Sequence, residues 1–301
     1  MKTQDEGIKK ICLAYSGGLD TSIIMPWLKE HYNNPEIIAV CTNVGQDEDW
    51  DAVERKAYAS GASKYYLADC REELVSDFLY PMVRAGAVYE GKYMLGTSIH
   101  GCTGKGNDQV RFELTYKALA PHLKVIAPWR MWEIHSREQA IAYAEEHNLD
   151  LGEISRENIY SRDWNIWHMS HEGGILENPW NAPDESMFRL TKSPQDAPDK
   201  TTEVSIDFEK GIPVGLDGKK IAPVELMKQL NALAAENGIG RVDIVETRMV
   251  GMKSRGVYET PGGTLLHIAL RDLEMFTTNY DALSLKQSLA QNYSDLVYAG
   301  K

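Results

Sequence analysis

The clearest chemical signal in this sequence is the segment 14–22, Ala-Tyr-Ser-Gly-Gly-Leu-Asp-Thr-Ser, called the glycine turn below. It follows an apolar run, residues 10–14, that is typical of a strand buried on both faces. The residues after it, 21–31, have apolar side chains at helical spacing. Glycines let the backbone approach a ligand closely, and a helix start presents unpaired N–H groups and the positive end of a dipole. We therefore predict that the glycine turn holds a phosphate group.

A second glycine-rich segment, 101–108, has the sequence Gly-Cys-Thr-Gly-Lys-Gly-Asn-Asp and leads into a predicted helix at 108–119. Its composition favours a loop that wraps an anionic ligand, although a surface turn without a ligand is the alternative for this loop by itself. Arg111 lies one turn inside the helix. Arginine suits a carboxylate because its guanidinium can donate two parallel hydrogen bonds.

Strands and helices alternate along the first half of the chain, which predicts an α/β fold with a doubly wound, mostly parallel sheet. The predicted strands after the first are 37–43, 64–67 and 122–127, and the predicted helices include 50–59 and 72–84. Ligands of such sheets bind beyond the carboxyl ends of the strands. We therefore expect Thr42, at the end of the second strand, to contact the same nucleotide as the glycine turn.

The pattern changes near residue 161. Residues 204–208 alternate apolar and polar side chains, Asp217-Gly218 is typical of a hairpin turn, and Pro223 begins a helical pattern. Residues 242–245 and 264–270 are predicted strands. The chain is thus expected to have a nucleotide-binding domain at 1–160 and an α+β domain at 161–301.

Composition excludes several classes of protein. The formal net charge of −12 over 301 residues argues against a nucleic-acid partner, which needs a basic face. We expect no membrane span and a cytoplasmic location, because there is no long apolar run and no N-terminal signal core. Four scattered cysteines, of which Cys12 and Cys41 lie in predicted buried strands, indicate reduced thiols. His168, His171 and Glu172 lack the spacing of a zinc site, so no metal held by protein ligands alone is expected.

The glycine turn is neither a Walker A loop nor a GxGxxG motif, and it resembles the pyrophosphate loop of the N-type ATP pyrophosphatases. Further segments extend the resemblance over nearly the whole chain, and together they resemble the argininosuccinate synthase family: 93–98, 100–113, 127–130, 171–177 and 251–261. The resemblance implies a ligase that joins citrulline to aspartate with ATP, through a citrullyl-adenylate, and releases AMP and pyrophosphate. It also implies a homotetramer.

The resemblance assigns residues of this sequence to the substrates. The ATP site falls on Ala14, Tyr15, Ser16, Gly17, Gly18, Leu19, Asp20, Thr21, Ser22, Thr42 and Gly101. The aspartate contacts fall on Thr103, Asn107 and Asp108, and the citrulline contacts fall on Tyr93, Ser98, Asn107, Arg111, Ser161, Ser170, Glu246 and Tyr258. Asp20 is expected to act on the phosphates through Mg²⁺. Asp20, Asp108 and Arg111 are the expected catalytic residues.

Two departures from the family pattern accompany this resemblance. Between Ser98 and His100 the family carries about twenty further residues, and a connection between parallel strands needs about a dozen or more. The family also continues beyond Lys301 into a C-terminal arm. Two alternatives therefore stay open: another adenylating ligase of the same superfamily, or an inactive nucleotide-binding module if the shorter segment is a true deletion.

Overall fold

The computed structural model describes residues 7–96, 107–134, 137–149, 161–249 and 251–301, with the backbone alone at 107–109, 137 and 161. The chain forms two compact units. The first comprises Met1–Cys70 and Lys124–Asn158, and the second comprises Arg71–Leu123 and Ile159–Lys301. Each unit is described by itself below.

The described residues form the following elements. The strands are β1 (Lys10–Ala14), β2 (Glu36–Asn43), β3 (Lys64–Asp69), β4 (Ser161–Trp164), β5 (Met169–Glu172), β6 (Ile206–Glu209), β7 (Ile212–Leu216), β8 (Lys219–Lys220), β9 (Arg241–Thr247) and β10 (Lys253–Glu259). The helices are α1 (Leu19–His31), α2 (Trp50–Ala59), α3 (Arg71–Glu73), α4 (Tyr80–Ala85), α5 (Asn107–Leu119), α6 (Arg137–Glu146), α7 (Pro223–Glu236), α8 (Pro261–Thr277) and α9 (Tyr280–Tyr298). A π-helical turn, Leu74–Leu79, joins α3 to α4. None of these helices is long and apolar enough to cross a membrane.

A parallel three-stranded sheet in the order β1-β2-β3 is the centre of the first unit. Side chains of β2 alternate, so that Ile37, Ala39 and Cys41 are buried while those between them are more accessible. The buried face packs against the apolar residues of α1 and against α2 and α6, with Trp27 and Trp132 in edge-to-face contact. This core holds the end of β1 and the start of α1 in place.

Two expectations for this sheet are wrong. β1 is not buried on both faces, because Cys12 and Ala14 are exposed. The segment 122–127 is not a strand but a turn and an irregular stretch before the 3₁₀ turn Pro128–Arg130. A strand needs a partner, and within the described residues β1 pairs only with β2, so that no sheet edge is occupied by 122–127. One apolar side chain of the segment 122–127, that of Ile126, instead packs against the core of the first unit.

The second unit contains an antiparallel sheet in the order β4-β5-β10-β9 and a smaller sheet in the order β6-β7-β8. The hairpin turn predicted at Asp217-Gly218 is confirmed, since it connects β7 to β8 with both residues at positive φ. Helices α7 and α8 pack against each other. The four-stranded sheet is the part of this unit that carries the candidate site.

The strand predicted at 264–270 is wrong, because these residues belong to α8. The run is apolar throughout, which by itself does not distinguish a buried strand from a helix. Leu266 and Leu270, four residues apart, are buried on one side, whereas Ile268 is exposed. Pro261 stands at the first helical position, where its missing N–H costs no hydrogen bond, so that the helix begins just before the apolar run.

Candidate functional site

The glycine turn lies between β1 and α1, as predicted. Gly18 is the residue before the helix, and the N–H of Ser22 donates to its carbonyl at 3.1 Å. Gly17 has φ +78°, a backbone conformation that favours glycine, and a Cβ there would lie in tight contact with a Val53 methyl group at 3.2 Å. The turn thus presents backbone N–H groups at a helix start, which is a site for an anion.

Hydroxyl groups hold the shape of this turn. The Ser16 hydroxyl lies 3.2 Å from the Thr21 hydroxyl and accepts from the Gly18 N–H at 3.3 Å. Both side chains are at or near the surface, where they could contact a phosphate. Ser22 is different, because it is buried and its hydroxyl donates to the Gly18 carbonyl at 2.8 Å. The structure therefore gives Ser22 a supporting position beneath the turn, with Tyr15 at 3.3 Å from it.

Thr42 lies at the same edge of the parallel sheet as the glycine turn. Ala14 pairs with Val40, so that Thr42 is two residues beyond the end of β1 on the neighbouring strand. Thr42 is exposed, and its carbonyl accepts from the Gln46 side chain at 2.9 Å. The first unit thus brings together all the nucleotide residues predicted from sequence that the structure describes.

The register of the four-stranded sheet places three of the residues predicted to contact citrulline, Ser170, Glu246 and Tyr258, on one face. Ser170 pairs with Tyr258, Glu172 lies two residues from Ser170, and Glu246 pairs with Ser254, which lies four residues from Tyr258. Because side chains two or four residues apart on a strand share a face, these residues form a single surface, the Glu246 face. The backbone of Ser161 pairs in register with that of Glu172, so the position of Ser161 is on the same face of the sheet.

Tyr258 and Glu246 form the centre of the Glu246 face. The Tyr258 hydroxyl donates to Glu246 Oε1 at 3.1 Å, and both residues are buried. To reach Glu246 the Tyr258 side chain lies along its own strand, over Gly256. A Cβ on Gly256 would be 2.4 Å from the Tyr258 hydroxyl, so that only glycine leaves room for this arrangement.

The electrostatics of Glu246 are unusual for a carboxyl group. Burial and the negative charge of Glu172 raise its pKa to about 7, against the lowering effects of the Tyr258 hydroxyl, Arg248 and Arg111. Its Oε2 atom is buried and has no hydrogen-bond partner within the described residues. A buried carboxylate oxygen in this state is suited to accept a hydrogen bond from a ligand cation such as an ammonium group.

Aromatic rings and one arginine complete the described part of this site. Tyr93 is buried and stacks on Tyr258 with ring centroids 4.3 Å apart. Arg111, on α5, is also buried, and its positive charge lowers the Glu246 pKa. The second unit therefore holds a cation close enough to Glu246 for the two charges to interact. This pairing matches the two charged groups of a zwitterionic amino acid.

Five further predicted residues lie wholly or partly outside the described part of the structure. Ser98, Gly101 and Thr103 are outside the described residues, and Asn107 and Asp108 are described only as backbone in the first turn of α5. These assignments therefore stay predictions.

Three residues that sequence reasoning did not assign to a substrate belong to the Glu246 face or its edge. Glu172 binds Arg248 at 2.8 Å, and the Arg248 Nε atom is buried without a partner within the described residues. Asp163 pairs in register with Ser170, and burial and Glu172 raise its pKa to about 6. Counting residues in steps of two from Ser170 and Ser161 along their strands would have indicated Glu172 and Asp163.

Comparison with known proteins provides an independent finding. A family model described as the arginosuccinate synthase N-terminal HUP domain matches residues 10–100 and 98–150, and one described as the arginosuccinate synthase C-terminal domain matches residues 160–301. Curated relatives named argininosuccinate synthase include that of Roseiflexus sp. (strain RS-1), 56% identical over 98% of this chain and 77% of the relative. The relatives of that name from Roseiflexus castenholzii and Acetivibrio thermocellus are each 54% identical, over 98% and 97% of this chain and 78% of each relative.

The same comparisons locate an interruption. The match to the N-terminal family model breaks at residues 98–100, where Ser98 and His100 stand. The alignment to the Roseiflexus sp. relative covers 316 positions, more than the 301 residues of this chain. The relatives therefore carry residues that have no counterpart here, which agrees with the departure inferred from the sequence.

Proposed function

This chain belongs to the argininosuccinate synthase family, and we propose how its residues carry out the reaction of that family. The function is that of an ATP-dependent ligase, which joins citrulline to aspartate and releases AMP and pyrophosphate. No covalent intermediate with the protein is needed. Positioning of the substrates and electrostatic stabilisation therefore supply most of the rate enhancement.

In the nucleotide half of the reaction, the glycine turn binds the β and γ phosphates of ATP. The Gly17 N–H and the hydroxyls of Ser16 and Thr21 donate to phosphate oxygens. The helix dipole of α1 favours the negative charge of the phosphates. Asp20, in the first turn of α1, would help to hold Mg²⁺. One carboxylate together with phosphate oxygens fits the way in which Mg²⁺ binds nucleotides, and the described residues contain no cluster of three or more ligands that would hold a metal alone. When bound, the ion would neutralise charge on the departing pyrophosphate.

In the amino-acid half, the Glu246 face binds citrulline. Glu246 Oε2 accepts from the α-ammonium group, Arg111 binds the α-carboxylate, and the stacked rings of Tyr93 and Tyr258 form a wall beside the side chain. The ureido oxygen of citrulline then attacks the α-phosphorus of ATP and forms the adenylate. The amine of aspartate, for which Thr103, Asn107 and Asp108 are the proposed ligands, displaces AMP.

The observation that carries this assignment is the buried, unpartnered oxygen of Glu246 beside Tyr258. A carboxyl group in such a position is costly unless a ligand completes its hydrogen bonds.

We also propose a homotetramer and a cytoplasmic location. The free thiols of Cys12 and Cys41 support the second of these.

Exchange of labelled pyrophosphate into ATP tests the proposed function. We expect exchange that depends on citrulline and does not need aspartate, because the adenylate forms before aspartate reacts. Asp20→Asn should reduce this exchange by at least about tenfold while leaving citrulline binding, measured by calorimetry, unchanged. Equal loss of both in the variant would indicate misfolding.

The interruption at 98–100 favours one other candidate function, a nucleotide- and amino-acid-binding protein without ligase activity, because it lies beside the predicted ligands Ser98 and Gly101. The two candidates differ in one result. Citrulline binding without citrulline-dependent exchange in the unaltered protein would establish the binder and reject the ligase.

A further inference from the structure

The end of α9 lies directly against Arg111. The Arg111 Nε–H donates to the carbonyl oxygen of Tyr298 at 2.7 Å, and the guanidinium carbon lies 5.0 Å from the centroid of the Tyr298 ring. Both residues are buried. Tyr298 therefore holds the guanidinium both by a hydrogen bond through Nε and by a cation–π contact.

The Tyr298 ring is itself fixed on two sides. Tyr89 stacks on it with ring centroids 3.7 Å apart and an angle of 4° between the ring planes. Tyr93 and Tyr298 are in edge-to-face contact, with ring centroids 6.2 Å apart. Tyr93 in turn stacks on Tyr258. A continuous set of rings thus connects the last turn of α9 with the Glu246 face.

Gly300, two residues after Tyr298, also packs closely against Arg111. It has φ +71°, and a Cβ there would lie 2.8 Å from both the Cα and the Cγ atoms of Arg111. Its N–H donates to the Val297 carbonyl at 3.0 Å, which ties it to the helix end. No side chain fits at this position unless Arg111 moves.

We propose that Tyr298 and Gly300 are positioning residues that set the orientation of the Arg111 guanidinium for an amino-acid carboxylate. The inference rests on the proposed role of Arg111 in citrulline binding and extends the site to the end of α9. An arginine held in advance loses less side-chain freedom when it binds, so its bidentate hydrogen bonds contribute more to affinity.

A pair of glycine variants tests this proposal. Gly300→Ala introduces both backbone strain and a clash with Arg111, whereas Gly218→Ala introduces the strain alone, because Gly218 has φ +75° and no atom within 4 Å of the added Cβ. We expect Gly300→Ala to weaken citrulline binding, measured by calorimetry, on the order of tenfold, the loss of one hydrogen bond to a charged group. In exchange assays its KM for citrulline should rise while kcat and the KM for ATP stay near those of the unaltered protein. Gly218→Ala should leave all these values unchanged.

A second pair covers the case in which Gly300→Ala does not fold. Tyr298→Phe keeps the ring and should bind citrulline as the unaltered protein does, while Tyr298→Ala removes the stacked ring and should bind it several-fold more weakly. The proposal is overturned if neither Gly300→Ala nor Tyr298→Ala differs from its control. That result is distinct from failure of the proposed function, which is loss of citrulline-dependent exchange in the unaltered protein.

Discussion

Glu246 shows how neighbours, rather than residue type, determine chemistry at the scale of one side chain. An exposed glutamate is fully ionised at neutral pH, whereas burial and the nearby Glu172 charge bring the Glu246 pKa to about 7. Tyr258, Arg248 and Arg111 oppose this rise by favouring the ionised carboxylate. A substrate ammonium would complete the stabilisation of the charged form.

Citrulline affinity should therefore depend on pH. Below about pH 7 the Glu246 carboxyl is mostly protonated and gains little from an ammonium group, so affinity should rise as pH increases toward 7 and become level above it. Calorimetric titrations across this range measure the midpoint. Glu172→Gln should move the midpoint to lower pH, because it removes a charge that raises the Glu246 pKa, and Glu246→Gln should abolish the dependence. Binding that is strong and independent of pH would contradict this role.

At the scale of the element, β10 uses its two faces for different purposes. Tyr258 points to the Glu246 face, and the next residue, Glu259, points to the other side of the sheet, where it is buried. Glu259 accepts hydrogen bonds from His171 Nε2, from the hydroxyl of Thr191, and from three successive backbone N–H groups at 189–191. Burial alone would raise the Glu259 pKa, but these hydrogen bonds outweigh it and lower the pKa. These hydrogen bonds thus anchor β10 on the side opposite the Glu246 face.

Glu259→Gln should lower the free energy of unfolding by about 3 kcal/mol, since it leaves His171 buried without its charged partner and turns an amide donor toward backbone donors. The lowered pKa means that this stabilisation is present above the unfolded-state pKa of about 4.3 and is lost as pH falls through the folded-state pKa. Urea unfolding of both proteins at neutral and acid pH measures the difference, which should shrink in acid.

The matched control for that experiment is Glu209→Gln, because Glu209 pairs with Lys220 at the surface. An exposed pair contributes little, so this variant should unfold like the unaltered protein. Equal effects of the two variants would mean that the buried network does not anchor β10.

At the scale of the whole molecule, the second unit exposes large apolar side chains on its last two helices, α8 and α9. They are Ile268, Leu273, Met275, Phe276, Tyr280, Leu285, Leu289, Tyr293 and Leu296. A contiguous apolar surface on a soluble protein commonly marks an interface with another chain. The proposed homotetramer would cover these helices.

Light scattering should give a native mass four times 33.8 kDa. The double variant Phe276→Ser/Leu285→Ser should shift the protein toward smaller species, because both side chains are more than half exposed and lie on these helices. Trp180→Ser is the control, since Trp180 is also more than half exposed but lies outside α8 and α9. A monomer before any substitution would exclude the tetramer.

Features that depend on neighbours in the chain followed from the sequence alone. The strand, glycine turn and helix at 10–31 and the helices α2, α5 and α7 were predictable, because their hydrogen bonds and side-chain contacts join residues a few positions apart. The family was predictable for a related reason, because long motifs such as 251–261 are contiguous in the chain and can be recognised from the sequence.

The tertiary structure decided everything that needs a distant partner. Whether 122–127 forms a strand depends on a neighbouring strand, and whether 264–270 forms a helix depends on which side of it is buried. The contact of Arg111 with Tyr298 joins residues 187 positions apart, and the Glu246 pKa is set by burial and by Glu172 on another strand. Pairing, burial and electrostatic fields act through space, so chain order by itself does not determine them.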